Sequence, residues 1–334
     1  MAGITFSEGS GLSDSVFGKS QAPIRMFIEK KGEALEQNSV VRQIFAMETS
    51  NNFAEKITSV TAMDGFRPVG ENGAHPVDHT QEGFDKTIEH MTWKDSFSIS
   101  RELVDDSKVM DLKKKPTNFV NAFYRTREKF GAALFGAALS GQTSASFGGV
   151  DFAVTSADGK IVFAIDHPAK IKGGTQSNLF EDNFSPDALM AAQTAMQNLR
   201  GDNEEILDVA PNTILIPNDY ILKKDVFAAI GADKDPATAN NGFNYIYGMW
   251  NVIVWPYLNQ FVDGRIKPWV LLDSQYSEDY GGAVWYDRVN LEVKSSIDEN
   301  TNANVWRGYS RFSAGFADWR FALAGGIPGG LTLV

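Results

Sequence analysis

The chain has 334 residues, no cysteine, and 42 acidic against 31 basic side chains, for a net charge of −11. That length holds one large or two smaller domains with a substantial core, while the absent cysteines exclude disulfides, thiolate nucleophiles and every Cys-containing metal site, and fit a reducing compartment. The acidic balance argues against a protein whose main work is neutralising nucleic-acid phosphates, and an aromatic share of 12%, with 23 Phe and 7 Trp, tilts toward sheet and contact surface.

Residues 1–21 are rich in Gly and Ser, with Lys19 as their one cationic side chain. They show neither the charged start nor the apolar run of a signal peptide, and no later apolar run is long enough to span a bilayer. They read as an arm with little to pack. Pro23 then opens a short amphipathic helix, with Ile24, Phe27, Ile28 and Leu35 opposite Arg25, Glu29, Lys30 and Glu33.

Residues 56–63 are strand-like and 84–100 form a second long strand region with Met91, Trp93, Phe97 and Ile99 on one face. Between them Gly65, Pro68, Gly70, Gly73, Pro76 and Gly83 forbid regular structure. The whole predicts a very long hairpin. A connection of about twenty structureless residues is uncommon inside a compact domain, and the hairpin's apolar face needs cover that another subunit can supply.

Pro116-Thr117 starts the longest predicted helix, about 117–140, roughly 35 Å long at its rise per residue. Phe119, Val120, Phe123, Phe130, Leu134 and Ala137 form its stripe, and Gly131, Ala132, Ala133, Gly136, Ala137 and Ala138 let another element approach closely. From residue 183 helices alternate with buried strands. Ser185-Pro186 starts a helix over 187–199, Asp219 caps a helix through Leu222, Val226 and Ile230, and strands are predicted at 213–217, 252–255, 269–272 and 283–286. Residues 304–324 alternate again, with Trp306, Phe312, Ala314 and Phe316 facing opposite to Arg307, Tyr309 and Arg311. The tail from Gly325 to Gly330 is too broken by glycine for regular structure. No repeat appears at periods of 20 to 50 residues.

Catalytic patterns are thin. His75 and His79 have the four-residue separation of a helical metal pair, yet Pro76 and neighbouring glycines put them in a loop. Asp166-His167 precedes Pro168, which favours an extended or turn conformation and a structural hydrogen-bonding role; a hydrolase would use this pair or the His75/His79 pair. Lys172-Gly173-Gly174-Thr175 lacks phosphate-loop spacing, and no nucleophile elbow follows a buried strand. Lys113-Lys114-Lys115 is the one basic run, with Asp105, Asp106 and Asp111 near enough in sequence to neutralise it. No catalytic, cofactor-binding or metal-binding residue is assigned, and no cofactor is expected.

The order of elements resembles the major capsid (head) protein of tailed bacteriophages, whose fold encapsulin shells share. The chain is most similar to the Mu-like major head subunits through Phe163-Ala164-Ile165-Asp166-His167-Pro168, Gly174-Thr175-Gln176-Ser177-Asn178-Leu179 and Pro211-Asn212-Thr213-Ile214-Leu215-Ile216-Pro217, and through Phe97-Ser98-Ile99-Ser100-Arg101-Glu102-Leu103-Val104-Asp105-Asp106 returning from the hairpin. The resemblance implies an α+β capsid fold. Its parts would be an N-terminal arm (1–21), a peripheral domain (22–55, 101–182 and 301–334) with the spine helix, an extended loop (56–100) and an axial domain (183–300). It implies a non-enzymatic subunit that assembles with its own copies, as pentamers and hexamers, into an icosahedral shell around packaged double-stranded DNA held without sequence-specific binding. The portal, a decoration protein and a scaffolding protein are the further partners, and the virion, built in the host bacterial cytoplasm, is the location. Because only about 21 polar residues precede the first helix, the scaffold is expected to be a separate protein. The alternatives are an encapsulin-like compartment shell and, from another class, a cytoplasmic hydrolase using Asp166 and His167.

Overall fold

Two sheets resting on one long helix organise the chain. The computed structural model describes residues 4–8, 16–60, 66–77, 82–105, 109–231, 244, 246–262, 264–301 and 303–330. In chain order, β1 (Thr5–Glu8) leads to α1 (Val16–Gln37), α2 (Val41–Ile44), β2 (Ala46–Thr49) and the hairpin strands β3 (Ala54–Val60) and β4 (Glu82–Glu89). Next come β5 (Met91–Ile99), α3 (Arg101–Asp105), α4 (Val109–Leu139), β6 (Ser144–Phe147), β7 (Val150–Ala153), β8 (His167–Pro168) and β9 (Thr175–Gln176). The chain closes with α5 (Pro186–Gln197), β10 (Thr213–Pro217), α6 (Tyr220–Ile230), β11 (Asn251–Trp255), a 3-10 turn (Pro256–Gln260), β12 (Trp269–Leu272), α7 (Ser274–Tyr280), β13 (Ala283–Ile297), β14 (Asn304–Phe316) and β15 (Ala322–Gly325). The mixed α+β class agrees with the sequence.

The first sheet is built on the long antiparallel pair β13 and β14, whose register shifts between Asp287 and Glu292. β5 adds along the far side of β14. The other edge of β13 is tiled by two short parallel strands, β2 beside 284–287 and β1 beside 292–295. The second sheet runs β11-β10-β12-β15, with only the β10–β11 pair parallel.

The caps that the sequence announced are formed. The Ser185 hydroxyl accepts from Ala188 N–H at 3.1 Å and the Asp219 carboxylate from Leu222 N–H at 2.9 Å, satisfying donors that a helix start leaves open. The glycines of α4 also serve close packing: a Cβ on Gly136 would stand 2.4 Å from the Phe261 Cβ, and one on Gly131 would stand 3.2 Å from the Trp255 ring. α4 therefore lies against the second sheet at one end while Phe130 and Phe123 meet the first sheet's Phe312.

Several elements differ from expectation. α1 starts at Val16 and passes through Pro23, because Ile24 and Ile28 lock into a core with Ile99, Phe119, Val120, Leu291, Val293 and Trp306, and tertiary burial decides helix extent more than propensity. Part of the arm is likewise ordered, as β1. The long helix begins at Val109 and carries Pro116 inside it, with the proline ring buried, so it reaches about 46 Å. The strand region 84–100 is broken at His90, since β4 pairs with β3 and β5 with β14. The glycine-rich tail is irregular from Gly326 onward, as expected, directly after β15 forms the edge of the second sheet.

Candidate functional site

Asp166 and His167 are neighbours in sequence but not in function. The Asp166 side chain is half exposed and pairs with Lys160, whereas His167 at the next position turns inward and is fully buried. There the ring stacks on Trp319 at 4.1 Å between centroids, its Nδ1 donates to Asp158 Oδ2 at 2.6 Å, and its Nε2 lies 3.2 Å from Asn178 Oδ1. Asn178 in turn donates to the carbonyls of Val162, Trp319 and Ala322, and its oxygen accepts from Ala164 N–H. Burial pushes the Asp158 carboxyl up, but donors from His167, Ser156 and the Lys160 N–H outweigh it and hold the carboxyl below the usual range. An imidazole sealed under an indole has no access to a substrate. The cluster is a clasp that joins residues 154–180 to 319–322.

The other sequence candidates do not converge. His75 is exposed in the hairpin tip, and His79 lies outside the described residues. Among the described residues no group of three or more His, Cys, Asp or Glu side chains is arranged to hold a metal ion. Lys172 pairs with Glu204 at 3.2 Å. Lys115 donates to the Ser98 carbonyl at 2.7 Å, while the Lys113 and Asp111 side chains and all of Asp106 lie outside the described residues.

The structure instead gathers its polar investment where the hairpin leaves the body. Arg127 on α4 grips Asp287 on β13 with two hydrogen bonds, and Asp287 also accepts from Trp285 Nε1 at 3.1 Å. The Asp287 carbonyl accepts from Ser50 N–H at 3.2 Å. Ser50 begins the segment leading into β3, so spine helix, sheet and hairpin root are joined through consecutive hydrogen bonds. Sequence reasoning missed this group because its members are far apart in the chain and carry no motif.

Beyond the root the hairpin reaches outward. Lys86 Nζ donates to Thr155 Oγ1 at 2.9 Å, Lys170 Nζ meets the Gly83 carbonyl, and Ile88 is buried near Gly315. The tip, residues 66–77, is exposed throughout, with Phe66 fully exposed and Val69 and Val77 each more than half exposed. A second apolar surface lies on α6, where Tyr220, Ile221 and Phe227 are at least half exposed. Soluble subunits rarely offer such side chains without a partner to cover them.

A hairpin with an apolar tip, a spine helix and two sheets form the architecture of a shell subunit. The capsid of Ralstonia phage GP4 has this fold, with a TM-score of 0.52 at 11% identity over 84% of this chain and 86% of that one. So does the capsid of cyanophage P-SCSP1u, with a TM-score of 0.50 at 10% identity over 86% of this chain and 87% of that one. At those identities the likeness is one of fold. No curated protein matches the chain. The phage capsid protein family model matches residues 85–325, and the chain belongs to that family. It is a bacteriophage major capsid protein, a structural subunit of an icosahedral shell and not an enzyme. It associates with its own copies and resides in the virion capsid.

Proposed function

We propose that copies of this subunit form pentamers and hexamers which close into the head of a tailed phage of the Mu-like kind, enclosing double-stranded DNA without reading its sequence. The hairpin tip carries the reading: Phe66, Val69 and Val77 are all exposed on it, apolar side chains that the described residues of this subunit leave uncovered. Within the shell, 56–100 serves as the extended loop, the segments 22–55, 101–182 and 301–334 as the peripheral domain, and 183–300 as the region meeting its copies at the five- and six-fold positions, with β13 reaching back into the peripheral sheet. Weak contacts made with several neighbours at once add up to a closed assembly, and stability becomes a property of the shell. The net charge of −11 suits a container that confines DNA without neutralising its phosphates.

Assembly in the host cytoplasm would draw on a separate scaffolding protein, a portal and a decoration protein. Electron microscopy of the subunit expressed with and without its scaffold tests the proposal. Closed shells with five- and six-fold clusters are expected with the scaffold; a persistent monomer under both conditions would overturn it.

A further inference from the structure

His90 is the single residue between β4 and β5, and those strands belong to different sheets. Rotation of the hairpin relative to the body turns about this position and about residues 50–53, which join β3 to β2. The His90 side chain is nevertheless buried at 4% exposure and held by a specific set of partners. Ser50 Oγ lies 2.9 Å from His90 Nε2, and the Ser50 hydroxyl donates to Glu55 Oε1, which also accepts from Asn52 Nδ2 at 2.9 Å. With the Ser50 proton committed to Glu55, Nε2 is the donor to Ser50 and Nδ1 carries the lone pair. That Nδ1 is buried and has no partner.

A second proton would therefore arrive at an atom with no acceptor to receive it. Its surroundings are poorly suited to a cation. Glu55 on β3 favours one, but Arg288 on β13 and Arg311 on β14 oppose it, and Arg311 already has a buried Nε without a partner. Tyr286 on β13 closes the pocket edge-on at 6.1 Å and stays neutral, with burial, Glu48 on β2 and Glu55 pushing its hydroxyl up to about 12. Burial, with the two guanidiniums, pushes the imidazole down.

We propose that Ser50, His90 and Glu55 form a proton-operated latch: neutral His90 holds the hairpin against the body, and protonation at Nδ1 releases it to turn about residue 90. Beyond the latch, Ile88 at Gly315 and the polar contacts of Lys86 and Lys170 hold the hairpin down. Ser50 also binds the carbonyl of Asp287, the partner of Arg127, so release is registered at the spine helix. The latch is a property of the single subunit, and its failure would leave the shell reading intact.

Backbone amide exchange of the full-length subunit at pH 7.5 and 5.5, corrected for intrinsic rates, tests the latch. Protection of the Ser50 amide, which binds the Asp287 carbonyl, should fall by about tenfold at pH 5.5, one unit below the ordinary imidazole value, while the β13–β14 amides, and the β3–β4 amides that pair with each other, keep theirs. His90→Gln, which retains a neutral donor toward Ser50, should abolish the pH dependence. The latch is overturned if that variant keeps the loss, or if β13–β14 opens in step with the hairpin. Should His90→Gln fail to fold, two charge changes decide the matter: Glu55→Gln should move the release midpoint to lower pH and Arg311→Gln to higher pH. Shifts in one direction, or none, overturn it.

Discussion

Arg127 and Asp287 form a two-pronged ion pair, Nη1 to Oδ1 at 2.7 Å and Nη2 to Oδ2 at 2.9 Å, at the point where β13 loses register with β14. The guanidinium also lies over the rings of Trp285 and Phe312, at 4.7 and 5.1 Å from their centroids. Both side chains are nearly buried, so the charges are little screened and the fork geometry fixes helix against sheet. Removing one partner strands the other. Arg127→Met should cost about 3–5 kcal/mol in urea unfolding, and combining it with Asp287→Leu should cost less than the sum of the single changes. Simple additivity would show that the pair does not couple α4 to β13.

Trp255 and Trp269 are fully buried, and each also donates its indole N–H, to Glu128 Oε2 at 2.9 Å and to the Asp182 carbonyl at 3.2 Å. Truncation of either to Ala should cost about 3–5 kcal/mol by thermal or denaturant unfolding. A mild effect would mean that the surrounding core closes over the cavity.

The clasp around His167 sets an acid limit on stability. Because the Asp158 carboxyl sits below its ordinary value in the folded chain, its contribution is complete above about pH 4 and is lost as pH falls through the lowered folded value. Asp158→Asn should lower stability at neutral pH and flatten its decline below pH 4. His167→Ala should destabilise the chain by leaving Asp158 and Asn178 short of a partner. A hydrolytic activity abolished by that change would contradict the role given to His167.

Deleting 64–83 should yield a folded subunit that forms no stable shell, since none of the described residues in that segment belongs to either core cluster. Circular dichroism and light scattering separate the two properties. Loss of fold would place the hairpin in the core.

What was legible in the sequence was whatever depends on neighbours in the chain. Ser185 and Asp219 announce their helices because a cap lies within three residues of the N–H it satisfies, and β10, β11 and β12 are visible as short apolar runs. The misreadings share a cause. Pro116 marks a helix start by local rules, yet α4 continues on both sides of it with the ring buried. The break at His90 is invisible because apolar alternation continues into β5, and only the choice of partners, β3 against β14, separates the strands. The Asp166-His167 dipeptide looked like a chemical pair, but successive extended residues face opposite ways, and the partner His167 uses, Asp158, comes from a turn whose closure no spacing reveals.

The placement of the final strands has a consequence for synthesis. β5 ends at Ile99, but the strand it pairs with starts at Asn304, and the second sheet gains its last strand only at Ala322–Gly325. On a ribosome the chain emerges from its N-terminus. Neither sheet can be completed until β14 and β15 have been translated, so before then a nascent subunit lacks finished sheets. A chain truncated before β15 leaves the second sheet one strand short, and one truncated before β14 leaves β5 without its partner.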